Sequence, residues 1–246
     1  MHKEVVSSET PRAELGTALE VSPSSADVSI INGDDFMAVM YLADSLRREG
    51  DTEGARVVLE SSEPRNSEER LRLADALAKV ERSDGRLDTA KKILLAALDE
   101  PCDSDAALAK IHHSLAVNYQ LQGETDEALL EYAMASQYWA KAENFHDAGC
   151  TENNVALIQL SLGRLEDAHA HIRSARRYFL DAPLKSAEVD ESEAQIYLAE
   201  ENPSEALRLV CRAVSVFYDY NETELVRKAL PTLMKAAADR QCEARK

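Results

Sequence analysis

The chain has 246 residues, of which 45% are hydrophobic but only 5% are aromatic, and its formal net charge is −17. With only 8 Gly and 7 Pro, this composition is typical of long packed helices and not of an aromatic-rich β-sandwich. The negative charge argues against a nucleic-acid partner, because binding nucleic acid requires cations that neutralise phosphates. No apolar run approaches about 18 residues, so we expect no membrane span and no membrane partner.

The start of the chain carries no helical periodicity. Residues 1–33 are rich in Ser, Pro and Glu, which predicts a flexible arm, and Asp34 or Asp35 is placed to cap the helix that follows. The first eight residues lack an apolar core, so we expect no signal peptide. The four cysteines are widely scattered, which indicates reduced thiols in a cytoplasmic protein. They are Cys102, Cys150, Cys211 and Cys242.

From Phe36 the sequence repeats at fixed offsets. One column of alanines consists of Ala43, Ala78, Ala116, Ala156 and Ala194. A second column, twelve residues later, consists of Ala55, Ala90, Ala128, Ala168 and Ala206. Seven residues after the first column come Gly50, Gly85, Gly123, Gly163 and, in the fifth unit, Glu201. Small residues allow two helices to cross closely, and glycine ends a helix in the left-handed conformation.

These offsets predict five helical hairpins between residues 34 and 220, followed by a capping helix. The expected units cover residues 34–64, 67–101, 104–142, 145–181 and 184–220. Residues 221–246 are expected to form a capping helix with a basic tail, kinked or split at Pro231. We interpret the basic residues of the tail mainly as a match to the helix dipole, and a docking point for an acidic partner is the alternative.

The best copy of the unit runs His112-x2-Leu115-Ala116-x2-Tyr119, followed by Gly123 and Ala128. It resembles the tetratricopeptide repeat, although the leading Trp is missing and the closing Pro is nearly absent. Successive alanines of the first column are 35, 38, 40 and 38 residues apart. These long units are similar to those of kinesin light chain and of bacterial peptide-sensing regulators. The resemblance implies an all-α right-handed superhelix, with longer helices in the later units.

In tetratricopeptide arrays the first helix of each hairpin lines a concave groove, and the resemblance carries this role to particular positions here. The implied lining residues are Met40, Tyr41, Asp44, Asp75, Lys79, Lys110, His113, Ser114, Val117, Asn153, Asn154, Leu157, Glu188, Glu191, Ser192 and Gln195. Asn154 is the leading candidate, because its amide can bond the main chain of a peptide without reading its sequence. Alternatively, Asn153 and Asn154 are solvated or bond to neighbouring helices. Lys79 and Lys110 do not reproduce the carboxylate clamp of chaperone-binding relatives, which disfavours a chaperone adaptor.

The sequence indicates neither a catalytic site nor a cofactor. It contains no Gly-rich phosphate loop and no nucleophile with an orienting partner. His146 and Cys150 are four residues apart on one helix face, but zinc usually has four ligands and no second pair has matching spacing. We therefore expect no metal. Trp139 is interpreted as a core residue in preference to an exposed contact on the outer face.

The expected function is a non-catalytic module that binds a partner peptide or helix in the concave groove, as a bacterial adaptor or regulatory scaffold. Two alternatives remain. One is a regulator that senses a peptide or another ligand, although 33 residues are too few for an effector domain. The other is a homo-oligomeric scaffold, and the sequence leaves the oligomeric state open.

Overall fold

A computed structural model describes residues 36–243, and this part of the chain consists of eleven α-helices without a strand. The helices are α1 (Phe36–Glu49), α2 (Thr52–Glu60), α3 (Ser67–Ser83), α4 (Leu87–Leu98), α5 (Asp105–Gln122), α6 (Thr125–Lys141), α7 (Phe145–Ser161), α8 (Leu165–Tyr178), α9 (Pro183–Ala199), α10 (Pro203–Asp219) and α11 (Thr223–Glu243). The expected arm over residues 1–33, the expected cap at Asp34 or Asp35 and the last residues of the basic tail lie outside the described residues.

Consecutive helices pair into five hairpins that stack along one direction. Each hairpin contacts the next, and the first helices α1, α3 and α5 also contact one another in sequence. The prediction of an all-α superhelix is therefore confirmed. Among the described residues, no helix is both long enough and apolar enough to cross a membrane.

The alanine columns form the contacts within the hairpins. None of the ten alanines is more than 2% exposed, so each lies where a larger side chain would force the two helices apart. The four repeated glycines have φ between 71° and 91°, and Glu201 adopts the same left-handed conformation at φ 56° in the fifth unit. The repeat geometry is thus kept where the glycine is missing.

The second helices of the last three units are longer than those of the first two, as the longer units predicted. They have 9 residues in α2, 12 in α4, 17 in α6, 14 in α8 and 17 in α10. The last turn of α6 carries Trp139, which is 2% exposed and packs against Ala106 and Ala109 of α5 and Ala148 of α7. The interpretation of Trp139 as a core residue is confirmed. Helices α5 and α7 have fewer direct contacts than other neighbouring first helices do, and this indole packs against both of them.

Helix α11 covers the end of the stack. Its Ala229 and Ala236 are fully buried in one apolar cluster with Val210 and Phe217 of α10. Pro231 lies inside α11 without ending it. The hydroxyl of Thr232 donates to Glu191 of α9 at 2.7 Å, so α11 also packs on the face of α9 that the repeat pattern assigns to the groove.

Candidate functional site: a concave groove with two joined cavities

The first helices enclose two cavities that meet at Lys110, Trp139 and Asp147. The first cavity, about 620 Å³, lies between α1, α3 and α5 and extends to the last turn of α6. The second cavity, about 340 Å³, lies between α5, α7 and α9. We refer to the two together as the groove. Trp139 borders both cavities, so the indole that packs against α5 and α7 also forms a common wall.

The first cavity combines apolar walls with an excess of cations. Its cations are Arg47, Arg48, Arg72, Lys79 and Lys110, against the carboxylates Asp44, Asp75 and Asp147. Met37, Met40 and Tyr41 supply apolar surface from α1, and Tyr41 is 72% exposed. Five cations against three carboxylates make a locally positive surface on a chain whose net charge is −17.

The floor of the first cavity is held by a buried carboxylate. Asp75 pairs with Lys79 at 2.6 Å and accepts a hydrogen bond from the Ser114 hydroxyl. Burial opposes the ionisation of Asp75, but Lys79 and Ser114 outweigh it and hold the pKa of this carboxyl below its ordinary value. Ser114 is itself buried. It therefore supports the groove instead of offering a free hydroxyl to a partner.

In the second cavity a chain of hydrogen bonds links α5 to α7. Asn154 Nδ2 donates to His113 Nε2 at 3.4 Å, and His113 Nδ1 donates to Thr151 Oγ1 at 3.0 Å. The Thr151 hydroxyl in turn donates to the Asp147 carbonyl at 2.9 Å. This direction of donors requires neutral His113. Accordingly, burial and then the Lys110 cation lower the pKa of His113 from 6.5 to about 4.

Two buried polar atoms beside the second cavity have no hydrogen-bond partner within the described residues: Trp139 Nε1, a donor, and Asn153 Oδ1, an acceptor. Both residues line this cavity. Buried polar groups are nearly always paired, so an unpaired donor and acceptor at one cavity call for a ligand or water. A peptide bond offers both complementary groups.

Ten of the sixteen predicted lining residues lie at the groove, among them Lys79, Lys110 and Asn154. The other seven of the ten are Met40, Tyr41, Asp44, Asp75, His113, Asn153 and Glu188. The remaining six line neither cavity. Val117 packs against an apolar cluster of α5, α6 and α7, and Leu157 lines neither cavity. Gln195 donates to Glu191 at 2.9 Å, and Glu191 accepts from Thr232 of α11, so these two side chains face the cap.

The repeat pattern also contained lining residues that sequence reasoning passed over. The position six residues before the first alanine column holds Met37, Arg72, Lys110, Cys150 and Glu188. Every one of them lines a cavity. Of these, the lining residues expected from the sequence include only Lys110 and Glu188, whereas the offset itself indicates all five.

Three side chains that can bind a metal ion meet at the start of α7: His146, Asp147 and Cys150. All three line the second cavity. Asp147 adds a third possible ligand to the His146–Cys150 pair. Burial raises the pKa of the Cys150 thiol, so in the absence of a metal this cysteine is protonated at neutral pH.

Solved structures with similar architecture place the described chain in a class of folds, the tetratricopeptide repeat. A tetratricopeptide repeat protein from Parabacteroides merdae superposes with a TM-score of 0.50 at 18% identity, covering 83% of this chain and 77% of that one. No protein-family model matches the sequence, and no curated protein matches it. The likeness therefore establishes the fold.

Two particular structures cover more of the chain. BtubC (BKLC) from P. vanneervenii gives a TM-score of 0.57 at 20% identity, with 86% of this chain and 90% of that chain covered. PilF of Pseudomonas aeruginosa gives 0.58 at 17% identity, with 87% and 99% covered. Both align along nearly their whole length, so the complete stack of hairpins has counterparts among known structures.

Proposed function

We propose that the protein is a non-catalytic binding module whose groove holds an extended segment of a partner protein, as an adaptor or regulatory scaffold does. The observation that carries this proposal is the unpaired donor and acceptor, Trp139 Nε1 and Asn153 Oδ1, beside one cavity of a continuous groove. Both atoms are buried as the side chains stand, so a bound segment reaches them only when these two side chains turn toward the cavity. Its main-chain amide then accepts from the indole and donates to the Asn153 carbonyl.

The first cavity indicates the chemistry of the segment. Its excess of cations favours carboxylates, and electrostatic complementarity acts mainly on specificity and on association rate. Its methionines offer flexible apolar surface that adapts to different side chains. We therefore propose an acidic segment with one or two apolar anchors, the anchors lying against Met37, Met40 and Tyr41.

The test is a selection of peptides on the immobilised protein, followed by fluorescence anisotropy with the selected sequences. We expect acidic peptides with apolar anchors to be enriched. Asn153→Ala should weaken their binding roughly fivefold, because a net hydrogen bond is worth about 1 kcal/mol. Lys110→Glu should weaken acidic peptides most strongly at low salt, since screening removes part of the effect.

Two variants on second helices are matched controls, because they make similar changes away from the groove. Gln137 of α6 and Lys92 of α4 are exposed, so Gln137→Ala and Lys92→Glu should leave the affinity unchanged. Enrichment of basic or featureless peptides would contradict the proposed chemistry. Equal effects of groove and control variants would contradict the groove itself. Light scattering addresses the homo-oligomeric alternative, which a monomer at high concentration would exclude.

A further inference from the structure

The side chains of His146, Asp147 and Cys150 form a compact cluster on the first turns of α7. One ligand atom from each, a His146 ring nitrogen, an Asp147 carboxylate oxygen and Cys150 Sγ, lies within 4.8 Å of the other two. His146 and Cys150 are four residues apart and so share a helix face. Because all three line the second cavity, the cluster opens toward the groove.

The separations within the cluster suit a shared metal ion better than direct hydrogen bonds. His146 Nδ1 and Asp147 Oδ1 are 3.6 Å apart, which is too long for a hydrogen bond. Two nitrogen or oxygen ligands, each about 2.1 Å from a tetrahedral zinc ion, lie roughly 3.4 Å apart. A small side-chain adjustment is therefore enough to place an ion between these atoms.

The surroundings of Asp147 leave its Oδ1 available to a metal ion. Asn144 Nδ2 donates to Asp147 Oδ2 at 3.0 Å, and Lys110 Nζ lies 3.9 Å from the same Oδ2. Both contacts engage Oδ2, whereas Oδ1 is the oxygen that lies 3.6 Å from His146 Nδ1. A neighbour that orients a ligating carboxylate in this way is a usual part of metal sites.

We propose that His146, Asp147 and Cys150 bind a divalent transition metal, with zinc as the best match, at the wall of the second cavity. An imidazole, a carboxylate and a thiolate are all ligands that zinc accepts, and three protein ligands leave the fourth position open to the groove. Binding replaces the proton on Cys150 Sγ, which is released to solvent. This proposal does not rest on the proposed peptide binding, and it reverses the expectation of no metal that followed from His146 and Cys150 alone.

Neighbouring cations affect the expected affinity of the site for a metal ion. Lys110 lies beside Asp147, whereas the ammonium of Lys185 is held by Glu188 at 2.9 and 3.0 Å. The charge of Lys110 opposes a divalent ion, so affinity should fall below that of a four-ligand structural zinc site. Lys110→Met removes this repulsion and should tighten metal binding.

The test is a titration of the full-length, reduced protein with Co²⁺, followed by displacement with Zn²⁺. We expect one equivalent to bind and to produce the charge-transfer absorption of a cobalt–thiolate bond. Cys150→Ser should abolish this absorption. His146→Ala and Asp147→Asn should each weaken Co²⁺ binding by more than the roughly 10- to 100-fold loss typical of an outer-shell change.

Matched controls come from the same residue types elsewhere. Cys211→Ser and His171→Ala should leave both the absorption and the stoichiometry unchanged, and circular dichroism checks that every variant keeps its helical content. Absence of saturable Co²⁺ uptake by the wild type would overturn the proposal. Thiolate absorption that persists in Cys150→Ser would overturn it as well, because another cysteine would then be the ligand.

Discussion

At the scale of single residues, His113 is the group whose chemistry is most constrained by the fold. Its ring bonds Asn154 on one side and Thr151 on the other, and it lies edge-on to Tyr132 with ring centroids 5.3 Å apart. Protonation would give Nε2 a hydrogen where Asn154 already presents one, next to the Lys110 cation. The native state therefore excludes the imidazolium, and this makes stability depend on pH.

We expect the free energy of unfolding to fall as the pH is lowered from 6.5 to about 4. The pKa of His113 is 6.5 in the unfolded chain but about 4 in the fold, so in this window only the unfolded state binds the proton. The contribution of His113 is fully present above pH 6.5, and its loss amounts to on the order of 3 kcal/mol. Urea unfolding as a function of pH measures it.

The two variants His113→Gln and His146→Gln separate the contribution of His113 to the pH dependence of the free energy of unfolding from the contribution of the carboxylates. His113→Gln should flatten the slope between pH 4 and 6.5, whereas the exposed His146→Gln should retain the slope of the wild type. Identical slopes in all three proteins would show that His113 does not exclude its proton in the native state.

At the scale of elements, the fit between α7 and the end of α8 depends on a glycine. A Cβ at Gly149 would lie 2.7 Å from Phe179 Cζ and 2.9 Å from the Cβ of Tyr178. These distances are shorter than van der Waals contact, so α7 can pack here only without a side chain. The glycine is retained in the interior of a helix although alanine is the better helix former by about 1 kcal/mol.

Gly149→Ala should therefore destabilise the protein by about 1–3 kcal/mol through overpacking, even though it favours the helix. Chemical denaturation measures the change. Gly149→Ala should lower the free energy of unfolding less in the Phe179→Leu background than in the wild type, because the shorter side chain at residue 179 makes room for the added methyl group. A stabilised Gly149→Ala, or strictly additive effects, would refute the steric explanation.

The hairpins could be predicted from sequence because Ala, Gly and helix-length spacing recur five times, and each recurrence tests the same local geometry. The groove could be predicted only in part. The burial of Ser114 beside Asp75 and the packing of Trp139 between α5 and α7 depend on contacts between units that do not repeat. Gly149 occurs once, so nothing in the sequence marks it as a packing residue. Asp147 directly follows His146 in the chain, but adjacent residues of a helix do not share a face, so the sequence spacing does not by itself place its carboxylate beside Cys150.

At the scale of the whole molecule, the stack depends on its cap. Each hairpin of a solenoid buries its apolar faces against its neighbours, so the last one needs a helix that closes the array. Ala236 of α11 is fully buried in that contact, whereas Ala238, two residues later, is exposed.

Ala236→Glu should lower the free energy of unfolding by about 3 kcal/mol or more, because it inserts bulk and an unpaired charge between packed helices. Ala238→Glu makes the same chemical change on the exposed side and should have little effect. Hydrogen exchange should report faster opening of α11 and α10 in Ala236→Glu alone. Equal exchange in the two variants would mean that α11 does not stabilise the stack.

The hydrogen bond from Thr232 to Glu191 affects the length of the partner segment that the groove can bind. Thr232 belongs to α11 and Glu191 to α9, so α11 lies at the α9 end of the groove, where the second cavity reaches Glu188 and Val189. In the proposed binding mode, a segment in the groove has one terminus facing α11 and the other facing open solvent. Residues added at the terminus that faces α11 should turn away from the groove and add no affinity. Residues added at the open terminus can continue along α1. The affinity for a bound segment would then depend on the length added at its open terminus and not on the length added at the other.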